Sequence, residues 1–128
     1  MLEKGIKGFG ELVVTKEMTA AALGSGAIEV LATPMMVALM EKTSRLSIAD
    51  RLEDNERTVG TVVNIRHLAA SPVGMKVTCE TELVEIDRKR LVFKVSCSDE
   101  KGLIGEGLHE RFIIDKDKFM EKATAKLG

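Results

Sequence analysis

From Glu56 onward the apolar positions form extended, β-branched segments: TVGTVVNIRHLAA, MKVTCETELVEI, RLVFKVSCSDE and LIGEGLHERFIID. This pattern predicts an antiparallel sheet. The charged stretch Asp87-Arg88-Lys89 supplies the turn between the second and third segments. Asp99 to Gly102 supplies the next tight connection. Strands joined by such short turns are hairpin neighbours.

The chain before Glu56 reads differently. Gly5 to Val14 is a first extended segment, and TKEMTAAALG is a short helix ended near Gly24-Ser25-Gly26. Ala27 to Ala32 is an apolar lead-in. Thr33 then serves as N-cap with Pro34 at the first helical position, and MMVALM begins the main helix, which runs to about Leu52. The first half of this helix is apolar almost all round, which predicts burial against the sheet. Lys42, Ser44 and Arg45 mark where it emerges. The tail KDKFMEKATAKL is a helix that packs loosely or frays. The sum is an α+β architecture, a long helix against a curved antiparallel sheet, with residues 1–128 forming one domain.

Composition narrows the function classes. With 128 residues, 45% of them hydrophobic and 30% charged, the chain can bury a core and remain dispersed in water. The formal net charge is -1 with both signs interspersed, so no basic face is available for nucleic-acid phosphates. No apolar run approaches the roughly 20 residues that span a bilayer. The start MLEKGIKGFGE lacks the hydrophobic region of a secretory signal, which predicts a cytoplasmic protein. Cys79 and Cys97 lie in Val-rich strands without CxxC spacing or a histidine pair, so they read as reduced, buried thiols rather than metal ligands. Four phenylalanines are the only aromatics, too few for base- or sugar-stacking platforms, and seven methionines supply adaptable apolar filling.

Four residues carry candidate chemistry. Alternation puts Val59, Thr61, Val63, Ile65 and His67 on one, inward, face of a strand, where a lone histidine is structural about as often as it is catalytic. On the main helix Pro34, Val37, Ala38, Glu41, Arg45, Ile48 and Leu52 follow helical spacing, so Glu41 sits on a mostly apolar stripe. A surface pair with Arg45 one turn on explains Glu41 as well as a site role does. Thr33 is an ordinary cap, yet it stands at the positive end of the helix dipole, where a developing negative charge is favoured. Gly60 interrupts a β-branched strand. That fits either a bulge or a backbone N–H approached by a ligand. His109 shares a face with Arg111, opposite Ile104, Leu108 and Phe112, and reads as structural or interfacial.

The runs ATPMMVALME, TVGTVVNIRHLAASPVGMKVT, RLVFKVS and IGEGLHERFII together resemble the hot-dog-fold thioesterases related to fluoroacetyl-CoA thioesterase, over about Gly5 to Phe119. The resemblance is specific in the Thr-to-Glu spacing and in the glycine followed after six residues by histidine. It implies a helix wrapped by an antiparallel sheet and a homodimer with active sites at the subunit interface. It implies a catalytic set of Thr33, Glu41 and His67, a substrate-binding Gly60, no metal and no cofactor beyond the CoA of the substrate. The implied reaction is hydrolysis of a small or medium acyl-CoA thioester, with Glu41 as nucleophile or as base for water, His67 moving protons and Thr33 orienting or donating. The fluoroacetyl-specific type carries phenylalanines as a lid. The matching stretch here, AALGSGAIEVLA, has none, and Gly24, Ser25, Gly26 and Ala27 predict a more open or mobile entrance and a broader acyl group. Arg88, Lys89, Arg90 and Arg111 are candidates for the CoA phosphates, though charged turns are usually just solvated. A non-catalytic acyl-CoA sensing module keeps the same fold. A hot-dog hydratase usually carries Asp and His in a different helix motif, and a bare structural dimer leaves Glu41 and His67 as inward polar groups without use.

Overall fold

The computed structural model describes residues 1–128. Five strands, β1 (Lys7–Val13), β2 (Glu56–His67), β3 (Lys76–Asp87), β4 (Arg90–Asp99) and β5 (Gly102–Asp115), form one antiparallel sheet in the order β1-β3-β4-β5-β2. The two expected hairpins are present. Arg88 takes the left-handed conformation in the first, at φ 58, and Gly102 follows the second turn at φ 145. The strand carrying Gly60 and His67 is left at an edge, paired only with β5.

Helix α1 (Ala20–Leu23) is a single turn after a 3₁₀ turn at Lys16–Met18, shorter than TKEMTAAALG predicts, because Gly24 turns left-handed at φ 79 and closes it. The main helix α2 (Thr33–Ile48) continues as a 3₁₀ turn over Ala49–Arg51, and α3 (Lys116–Thr124) follows β5 directly with no buried residue. The bare backbone of β1 lets α2 approach closely. A Cβ at Gly8 would lie 2.6 Å from Thr81 Oγ1 and 2.9 Å from the Thr43 carbonyl.

The core lies between α2 and β3, β4 and β5. Met36, Met40 and Ile48 from the helix meet Leu83, Leu91, Phe93 and Val95 from the sheet. Burying each such side chain stabilises the fold by about 1.5–3 kcal/mol. The buried helix stripe is therefore Met36, Leu39, Met40, Thr43, Ser44 and Ile48, rather than the one through Pro34 and Ala38, which are exposed. Ser44 does not mark an emergence into solvent, since it is wholly buried. The reason is composition: with apolar residues on every side of the first three turns, periodicity alone does not orient the helix.

β2 also departs from simple alternation. Its register against β5 shifts between Gly60 and Val62. Thr58 and Gly60, opposite Ile113 and Arg111, face the helix side, and so do Val63, Ile65 and His67, opposite His109, Gly107 and Gly105. Val59 instead pairs with Phe112, which is exposed on the other face. Val59 and Thr61 thus leave the set in which alternation placed them, because a bulge adds one residue to the count.

Candidate active site

Thr33, Val37 and Glu41 recur at helical spacing along the side of α2 nearest β2. Facing them are Gly60, Val63, Ile65 and His67, and Val63 keeps 45% of its surface exposed although it points to the helix side. The result is an apolar groove between α2 and the free edge, with polar groups at both ends.

At one end Thr33 Oγ1 and His67 Nδ1 are hydrogen-bonded at 2.7 Å. Thr33 is not the N-cap. Ala32 occupies that position with extended backbone, Thr33 and Pro34 are the first helical residues, and no side chain caps the helix. The hydroxyl is engaged by the imidazole instead. His67 Nε2 is buried without a hydrogen-bond partner. Burial holds the His67 pKa below its ordinary value, with the Ala69 backbone opposing. The ring is therefore neutral at neutral pH and able to accept a proton.

At the other end Glu41 meets Arg111, not Arg45. Arg111 Nη1 lies 3.9 Å from Glu41 Oε2, with the arginine side chain 6% exposed and the glutamate 40% exposed. Arg111 is locked by donating from Nε to Thr58 Oγ1 at 2.8 Å and from Nη2 to the Thr58 carbonyl at 2.9 Å. Its Nη1 also donates to His109 Nε2 at 3.1 Å. Because guanidinium only donates, Nε2 must accept, so His109 carries its proton on Nδ1 and gives it to the Val62 carbonyl at 2.8 Å. His109 is a buried, neutral support for Arg111, and burial together with the guanidinium lowers its pKa. Gly60 completes this cluster. A Cβ there would stand 2.7 Å from Glu41 Oε2 and 3.3 Å from Arg111 Nη1.

The four candidates thus form two pairs within one chain, Thr33 with His67 and Glu41 with Gly60. Thr33 and Glu41 are eight residues apart on α2, about 12 Å along its axis. Arg111 is the group that sequence reasoning underrated by treating it as a phosphate contact. Leu108 and Phe112 made the opposite face of β5 look inward, whereas both are more than 40% exposed. Ile104 is buried despite that face assignment, because the β4–β5 register shifts beside it. A stronger signal was the run His109, Arg111, Ile113, which shares one face with a buried isoleucine. Of the other bases, Arg90 is taken up by Glu85 and Glu110, while the Arg88 side chain is 90% exposed beside Asp87. No group of three or more His, Cys, Asp or Glu side chains is placed to hold a metal ion.

Comparison with known proteins bears on this arrangement. The structure aligns with that of a fluoroacetyl-CoA thioesterase variant in complex with acetyl-CoA at TM-score 0.94 and 33% identity, covering 99% of this chain and 100% of the other. It aligns with a thioesterase superfamily member from Thermus thermophilus at TM-score 0.88 and 35% identity, covering 98% and 92%. A hot-dog-like protein from Thermanaerovibrio acidaminovorans shares the fold at TM-score 0.89 and 19% identity, covering 98% and 93%. The class is therefore an α+β hot-dog thioester hydrolase. Within that class, the family model described as fluoroacetyl-CoA-specific thioesterase matches residues 14–117. The fluoroacetyl-CoA thioesterase of Streptantibioticus cattleyicolor is 41% identical over 98 residues, 77% of this chain and 70% of that protein. The chain belongs to the fluoroacetyl-CoA-specific thioesterase family.

Proposed function

We propose that residues 1–128 form one domain that hydrolyses small to medium acyl-CoA thioesters, using Thr33, Glu41 and His67 with Gly60 as substrate contact, in a homodimer. The observation that carries this reading is the Thr33–His67 hydrogen bond at one end of the groove that has Glu41 and Gly60 at the other. A thioester carbonyl oxygen directed at the Gly60 N–H is polarised as negative charge develops on it. Glu41, held by Arg111, takes a proton from water as the water oxygen bonds the carbonyl carbon. The carbon–sulfur bond then breaks, and the proton that Glu41 took from water passes through His67, whose Nδ1 is oriented by the Thr33 hydroxyl, to the departing thiolate, which restores Glu41 as carboxylate.

Pairing of β2 with its own copy accounts for the division of the site. Gly60 to Asn64 is an unbroken run of exposed residues on an unpaired edge, which antiparallel addition of a second chain would cover. A two-fold axis at the middle of that run sets the Gly60 end of one protomer's β2 beside the His67 end of its partner's. Each active site then takes Thr33 and His67 from one chain and Glu41, Gly60 and Arg111 from the other.

No helix is long and apolar enough to cross a membrane. The free, buried Cys79 and Cys97 are in keeping with a reducing, cytoplasmic setting. The test is release of free thiol from acyl-CoAs by the purified protein beside Thr33→Ala, Glu41→Ala and His67→Ala variants, with mass measured in solution. Turnover by the parent, loss in each folded variant and a dimeric mass are expected. Tight binding of acyl-CoA without turnover would instead make the domain a sensor.

A further inference from the structure

The only two cysteines of the chain stand opposite one another. Cys79 on β3 and Cys97 on β4 are register partners, both wholly buried in the core and both free. Residues directly opposed in an antiparallel pair have Cα atoms about 4.5 or 5.5 Å apart. Either value falls inside the span of about 4.4–6.8 Å that a disulfide bridges. The two thiols also act on each other. A side-chain hydrogen bond from Cys97 holds the Cys79 pKa below its ordinary value against the opposing effect of burial, and the Thr43 hydroxyl adds to it. Cys97, hydrogen-bonded to Cys79 and buried, is pushed up. Cys79 is therefore the member that forms thiolate and Cys97 the member that keeps its proton. The pair belongs to no group of three or more side chains placed to hold a metal ion.

The cysteines share one row of the sheet with His67. Gly10, Cys79, Cys97, Gly105 and His67 are successive register partners across β1, β3, β4, β5 and β2. Gly105 has no side chain, and Met36 fills the space above it, since a Cβ there would lie 2.6 Å from both Met36 Sδ and Met36 Cε. Met36 is wholly buried and stands one turn of α2 beyond Thr33. Its thioether thus sits between Cys97 and the Thr33–His67 pair. On the other flank Gly10 belongs to the edge strand β1 and places no side chain beside Cys79. Local opening of that edge bares Cys79 first.

We propose that Cys79 and Cys97 form an oxidation site, closed by hydrogen peroxide to a cross-strand disulfide, and that closure lowers turnover by shifting Met36 against the Thr33–His67 pair. The Cys79 thiolate attacks one peroxide oxygen, the O–O bond breaks, and the departing hydroxide takes up the proton that Cys79 lost and leaves as water. The Cys97 sulfur then attacks the sulfenic acid on Cys79. The S–S bond forms, the S–O bond breaks, and the hydroxide leaves with the Cys97 proton as a second water. Two thiols give up two electrons and two protons, and the peroxide is reduced to two waters. The disulfide stands on the register and burial of the two cysteines, whereas its effect on turnover rests on the thioesterase reading above.

The test treats the purified protein with hydrogen peroxide, removes the reagent, and measures intact mass, thiols open to alkylation after unfolding, and thiol release from acetyl-CoA and hexanoyl-CoA. Cys97→Ala is carried alongside, with Cys79→Ala as the second variant where the first does not fold. The parent should become about 2 Da lighter, offer no thiol to alkylation and turn over about tenfold or more slowly, as a small displacement of reacting groups costs. Dithiothreitol should restore all three, which it does not do for oxygen added to methionine. The alanine variant should keep its turnover through the same treatment. Two alkylatable thiols in a parent whose exposed methionines have gained oxygen, or a disulfide joining two chains, would overturn the site. A disulfide that closes with turnover unchanged would overturn the link through Met36. A reduced parent that turns over neither ester would remove the thioesterase reading and that link together, while mass and alkylation still decide the disulfide.

Discussion

Thr33 Oγ1 lies 2.7 Å from His67 Nδ1, so the first turn of α2 and the last residue of β2 are joined by a single side-chain bond across 34 positions of sequence. Replacing either partner should reduce kcat by about 10²- to 10⁴-fold, the range of a positioned acid–base group. Thr33→Ser retains the hydroxyl and should retain most of the activity, whereas Thr33→Val should behave like Thr33→Ala. Equal rates for the serine and valine variants would dissociate the hydroxyl from catalysis.

Arg111 holds Glu41 from a buried position and depends on its planar fork to reach Thr58 twice. Lysine cannot reproduce that geometry. Arg111→Lys should cost about 1–3 kcal/mol in denaturant unfolding, and should lower kcat more than it changes KM. Unchanged stability would mean that the Thr58 contacts contribute nothing.

Two glycines of the β2–β5 pair should respond oppositely to alanine. At Gly60 the new methyl meets the tip of the Glu41 side chain, which can swing away, and presses on the buried His109 and Arg111 at 3.2 and 3.3 Å, so activity should drop by tenfold or more while Tm falls less than at Gly107. At Gly107 the methyl runs into the Asn64 carbonyl, which belongs to the neighbouring strand and cannot yield cheaply. Gly107→Ala should destabilise by about 1–3 kcal/mol or more. Thermal melts beside thiol-release rates decide both cases.

Acidification should weaken the fold before the carboxylates titrate. His67 and His109 both have pKa values lowered by burial, so below about pH 6.5 the unfolded chain binds protons that the folded chain refuses. The stability they contribute is whole above that pH and is lost as pH falls toward their lowered folded values. Tm should therefore decline between about pH 7 and 5.5, less steeply in His109→Gln. A Tm that held or rose over that interval would contradict the burial of both rings in neutral form.

The role of Glu41 can be read from oxygen. In a single turnover in heavy-oxygen water, direct attack places the label in the first product carboxylate. Attack by Glu41 itself, with water then opening the mixed anhydride at the glutamyl carbonyl, would deliver an unlabelled enzyme oxygen to that product and leave the label in the protein. We expect labelled product from the first turnover.

β2 to β5 were legible because they carry β-branched residues and are bounded by turn residues, and the charged Asp87-Arg88-Lys89 stretch needs no tertiary context to make a hairpin. The orientation of α2 was less so. Met35, Met36, Val37, Leu39 and Met40 cover most of its circumference, so the buried stripe is settled only by what β1 permits, where Gly8 and Gly10 admit Thr43 and Ser47 at close range. The candidate residues were found by chemistry and by resemblance, but not their grouping. A pair with Arg45 stood beside a site role as an explanation of Glu41 because helical neighbours are visible in one dimension, whereas Arg111 reaches it from a strand 70 positions later.

The bulge between Gly60 and Val62 has a consequence for how this site can vary. Seven positions separate Gly60 from His67, an odd number, and in a regular strand an odd number sends two side chains to opposite faces. They share a face only because the strand contains one surplus residue. The location of the candidate groups is thus stored in a count as well as in the identity of amino acids. Removing Thr61 would leave a well-formed β-strand with every candidate residue intact, and would turn one end of the groove toward the wrong side of the sheet.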